Sequence, residues 1–183
     1  VGCVMIEIID NSVQTLVLLL CIVLSLRKIL QTRKREWVFL TLFLGLCFLG
    51  DVYWFLYLIL IDHTPKYIYV ADLSWYASFL FLYMLLHYVS NTEEKPRNVY
   101  IAWLGPAFAV LMGIVYMVHS REYVGEILLM LTMGPLMWKA LHGLFCMKGK
   151  EKSEIRGARS LHVHVLVFCF LEYTMWTISM NWM

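Results

Sequence analysis

The chain has 183 residues, 61% hydrophobic and only 15% charged, with a formal net charge of +2 and a mean hydropathy of +0.71. A soluble domain of this length would carry about a quarter charged residues, so the polar surface needed to cover a water-facing globule is missing. The composition excludes a soluble domain and points to an integral membrane protein; the cations, gathered mostly in two short loops, exclude the basic stripe that nucleic acid would need.

Six apolar segments follow in chain order, each near the roughly 20 residues that cross a bilayer core as a helix. The first covers about 4–30, its apolar run beginning at Val4 or Val13. Its basic cluster follows the apolar run and no small-residue cleavage pattern appears, so it reads as a span and not as a signal peptide. The second, 37–61, holds Asp51 and Trp54. The third, 68–89, holds Asp72, Trp75 and Tyr76. The fourth is 99–118, and the fifth, 123–147, contains Gly134-Pro135 and Lys139. The sixth, 161–183, contains Glu172 and Trp176. The expected fold is all-α: an integral membrane bundle of six transmembrane helices forming a single membrane domain over 1–183, with no soluble domain or internal repeat.

The loops give an orientation. Arg27, Lys28, Arg33, Lys34 and Arg35 lie in or beside the first loop, Lys95 and Arg97 in the third, and Lys148, Lys150, Lys152, Arg156 and Arg159 in the fifth. The second loop has Lys66 alone and the fourth Arg121 alone. The excess of Lys and Arg marks the odd loops as cytoplasmic. The N-terminus and Met183 are then both extracytoplasmic, and a cytoplasmic output domain beyond Met183 would need a further span first.

With that orientation the outer half is acidic and aromatic. Asp51 falls in the outer half of the second helix, Asp72 about one turn into the third, Glu126 one turn into the fifth, and Glu172 near the middle of the sixth. Glu7 and Asp10 fall in the outer turns of the first. A charge within the membrane costs several kcal/mol and reads by default as functional. Asp51 shares a helix face with Trp54, Asp72 with Trp75 and Tyr76, and Glu172 with Trp176. Carboxylates beside aromatic faces suit a cationic or amine-bearing ligand, through charge pairing and cation–π attraction. The alternative is an interfacial aromatic belt whose carboxylates are hydrogen-bonded to neighbouring helices or protonated.

Lys139 is the one cation well inside a segment, and Glu172 on the next helix has similar depth, so an intramembrane Lys139–Glu172 pair is expected, structural in preference to a proton or ligand relay. Pro135 opens the backbone ladder of its helix. Glycines 45, 50, 134 and 143 would permit close helix approach. Met130, Met133 and Met137 form a helical stripe, read as adaptable packing before a pliable pocket wall. The six histidines read as interface or packing residues, and His162 and His164, two apart, point to different sides of their helix. The five cysteines show no metal-type spacing. Zinc-protease HExxH, GxSxG and phosphate-loop motifs are absent, so no catalytic residue, metal or cofactor is assigned and nothing calls for an enzyme.

The stretch from Gly50 to Val89 carries Gly50-Asp51-x-Tyr53-Trp54, then Pro65, then Ala71-Asp72-Leu73-Ser74-Trp75-Tyr76. This resembles the multi-pass membrane sensor regions that precede output domains in bacterial GGDEF-type diguanylate cyclases and histidine kinases. It covers about a fifth of the chain, and Tyr69-Val70 stands where that pattern has Pro-Ser. The resemblance implies a ligand-responsive sensory domain in a bacterial inner (plasma) membrane, with Asp51, Trp54, Asp72 and Trp75 at the matching positions.

The leading expectation is a membrane-embedded sensor or ligand-binding module. A small cationic ligand would contact Asp51, Trp54, Asp72, Trp75, Tyr76, Glu172 and Trp176 from outside. The alternatives are a small-solute transporter or its binding subunit, and a structural subunit of a membrane complex. The partners expected are the lipid bilayer, the small cationic ligand, and a second copy or another membrane protein, with no nucleic acid.

Overall fold

A computed structural model of the chain describes residues 2–61, 69–91, 99–120, 123–146 and 152–180. His63, Pro65, Lys66, Lys95, Arg97, Arg121, Lys148, Lys150 and Met183 lie outside the described residues, as does the side chain of Glu7. The described residues form helices α1 (Gly2–Thr32), α2 (Arg35–Ile61), α3 (Tyr69–Asn91), α4 (Leu104–Ser120), α5 (Tyr123–Cys146) and α6 (Lys152–Met180), with a 3-10 turn at Tyr100–Trp103. Six helices are long and apolar enough to cross a membrane, over Ile8–Thr32, Arg35–Leu60, Val70–Ser90, Tyr100–His119, Tyr123–Cys146 and Arg156–Ile178. The protein is therefore an integral membrane protein of all-helical class.

Most boundaries fall within two residues of the sequence reading, and two departures have a local cause. The helical rise before α4 starts as a 3-10 turn because Pro106 has no N–H to offer the Ala102 carbonyl. Helix α6 starts at Lys152, nine residues before the expected 161. The added turns, KSEIRGARS, are polar, so hydropathy does not register them although the backbone continues helically.

By packing, the chain falls into two compact units, 1–82 and 83–183. In the first, α1 packs along α2. Their two-residue connection turns at Arg33, whose φ is 53° and whose N–H reaches Ile29 C=O at 2.8 Å. This single bond back to the fourth residue is the simple left-handed cap that ends many helices. The Ser25 and Thr41 hydroxyls meet across the pair at 2.8 Å, and Cys47 Sγ donates to Ser78 Oγ at 3.3 Å between α2 and α3. Such bonds in membrane helices average about 0.6 kcal/mol, so close van der Waals packing carries more of the association. Much of the apolar surface faces outward, with Leu16 66% and Leu60 77% exposed, as expected of helices that meet lipid tails.

In the second unit, α4, α5 and α6 pack together. Gly105 and Gly113 of α4 receive Met137 and Met130 of α5, so part of the methionine stripe fills glycine notches. Met133 and Met137 are buried, in keeping with core packing. Gly143 of α5 lies under the His162 imidazole of α6. Not every expected glycine contact exists: Gly45 has open space where a side chain would be, and Gly134 makes only ordinary contact with Pro106 and Ala109. Spacing alone could not tell a glycine facing a helix from one facing lipid. Helix α5 runs unbroken through Gly134-Pro135, with Pro135 exposed.

Candidate functional site

The seam between α2 and α3 in the first unit gathers three of the singled-out residues. Cys47 meets Ser78 and Asp51 meets Trp75, so the helices run antiparallel and bring these faces into register. Asp51 lies ten residues before the end of α2 at Ile61, about 15 Å along the axis. It is 3% exposed. The Trp75 indole N–H donates to Asp51 Oδ1 at 3.0 Å. Gly50 makes this possible: a Cβ there would stand 2.6 Å from Trp75 Nε1, so only glycine lets the indole lie against the backbone. Trp54, one turn along α2, holds its ring centroid 6.2 Å from that of Trp75 at 40°.

The Asp51 carboxylate is not fully used. The Gln14 side chain of α1 bears on it, yet Oδ2 is buried with no hydrogen-bond partner among the described residues. A buried acceptor left open costs about 1–3 kcal/mol. Two indoles beside it offer faces to a cation. The arrangement can therefore take a hydrogen-bond donor that carries positive charge. Tyr76 is buried next along α3, and Asp72 is half-buried one turn before it.

Glu172 and Trp176 belong to the second unit, where both are half-buried on one face of α6. Lys139 is 5% exposed on the buried side of α5. Gly143 sits against His162, so Lys139, four residues earlier, is level with residue 166 (162 plus 4). Glu172 stands six residues, about 9 Å, farther along α6. Side chains lean towards the N-terminus of their own helix, so on antiparallel α5 and α6 these two lean towards each other.

Two buried polar nodes of the second unit escaped sequence reasoning. In one, Ser90 Oγ and His162 Nε2 are 3.0 Å apart, joining α3 to α6, with both residues fully buried. In the other, the Tyr116 hydroxyl donates to Tyr173 C=O at 2.8 Å and lies 2.8 Å from Thr177 Oγ1. Glu126 of α5 is buried in the same unit. Neither node has a sequence signal, because each depends on which helices are neighbours. Three other described histidines make local contacts: His142 stacks on Trp138 at 5.0 Å, His87 on Tyr83 at 6.2 Å, and exposed His164 bonds its own helix at Ser160. Among the described residues, no group of three or more His, Cys, Asp or Glu side chains is placed to hold a metal ion.

Compared with known proteins, the chain matches no family model, no curated protein and no solved structure.

Proposed function

We propose that this protein is a membrane-embedded ligand-binding module, of sensory type, for a small organic cation reaching Asp51 from the extracytoplasmic side. The observation that carries the reading is the open Asp51 Oδ2, buried beside Trp54 and Trp75. An ammonium group would complete the carboxylate and compete with the indole N–H for it. Releasing Trp75 loosens its fit over Gly50, so binding changes how α2 and α3 pack. That coupling of occupancy to helix packing is what a sensor needs, and the likeness to bacterial sensor regions agrees with it. The transport alternative has less support, since transporter sites are typically built on broken helices and α5 is continuous through Gly134-Pro135.

A structural role is the second reading. It is favoured by the tight Gly50–Trp75 contact, which by itself serves to clamp two helices. Calorimetric titration of the purified chain with ethylammonium separates the two. The binding reading expects heat of binding from the native chain and none from Asp51→Asn, which keeps the shape but removes the charge. Identical titrations from both would leave the clamp as the role of the seam.

A further inference from the structure

We infer that the α1–α2 turn is a docking site for anionic phospholipid headgroups. Arg27, Lys28, Arg33, Lys34 and Arg35 place five of the fifteen Lys and Arg residues between positions 27 and 35, and all five are exposed. Glu36 is the one acid beside them. The turn lies between two spans, one ending at Thr32 and the next starting at Arg35, so it sits at a membrane surface whichever way the protein faces. Clusters of this size beside a transmembrane helix attract the negative headgroup layer.

Two details point to a lipid surface and to a purpose for the charge. Leu26 and Leu30 stand one turn apart beside the cations and are 45% and 80% exposed. Apolar side chains next to basic ones match a molecule with an acyl chain below an anionic head, not free phosphate and not an acidic soluble partner. The second detail is Arg33 itself. Its φ of 53° is the left-handed conformation in which glycine or asparagine is the unstrained choice. A cation holds the position at a conformational cost, while its neighbours Lys34 and Arg35 are cations as well.

The test uses the full chain, purified in detergent and reconstituted into phosphatidylcholine bilayers with or without equal parts phosphatidylglycerol. Lipid retained on the protein is read by native mass spectrometry. The native chain is expected to retain phosphatidylglycerol preferentially. Arg33→Gly is expected to weaken that preference about fivefold while leaving the turn as stable or more so, since glycine relaxes the backbone. Arg33→Gly with Lys34→Gln and Arg35→Gln is expected to weaken it about 100-fold. The proposal is overturned if the triple variant retains phosphatidylglycerol as the native chain does, or if inorganic phosphate displaces the lipid at matched concentration. Loss of preference together with loss of turn stability in Arg33→Gly would also overturn it, because the arginine would then be acting on the fold.

Discussion

At the scale of residues, the Asp51–Trp75 bond separates shape from charge. Trp75→Phe removes the donor and leaves the buried carboxylate without its indole hydrogen bond, which should cost about 1–3 kcal/mol and lower the melting temperature in detergent. Asp51→Asn keeps an acceptor for the indole and should change melting little. Equal losses from the two would mean that the carboxylate charge itself holds the helices. The glycines give a second contrast. A Cβ at Gly143 would overlap the His162 ring, so Gly143→Ala should displace the imidazole, break its contact with Ser90 and destabilise by about 1–3 kcal/mol. Gly45→Ala enters open space and should stabilise α2 by up to about 1 kcal/mol, again read from melting. The shared face of Asp51 and Trp54 on α2 was legible, because spacing along a helix can be read from sequence. The sequence could not show that the indole N–H is spent on the carboxylate, nor that Ser90 finds His162, since both depend on rotation about helix axes that are apolar nearly all round.

At the scale of elements, apolar length located all six spans, and the errors fell where helix continues without apolarity, at the polar first turns of α6, or where proline reshapes the start, before α4. The antiparallel packing of α5 on α6 leads to a further expectation. If Lys139 and Glu172 pair, Lys139→Met should destabilise the second unit by leaving the half-buried acid without a cation, and Glu172→Gln should do the same to the buried lysine. The double variant should be less impaired than the sum, with a coupling of about 1 kcal/mol or more in a double-mutant cycle of detergent melts. Strict additivity would mean that the two charges are held by other neighbours.

At the scale of the whole molecule, the charge pattern predicts that the connections after α1, α3 and α5 share one side of the membrane and those after α2 and α4 the other. Single cysteines at positions 34, 96 and 149 should react with a membrane-impermeant maleimide only from the cytoplasmic face, and those at 64 and 121 only from outside. Labelling of 34 and 64 from the same face would break the assignment. The connection between α1 and α2 bears on biosynthesis as well. Two residues, Arg33 and Lys34, leave no length for a translocated loop, and five cations resist being carried across. As the nascent chain emerges, α1 and α2 must enter the bilayer as one hairpin. A change that keeps α2 out of the lipid would therefore strand α1 too.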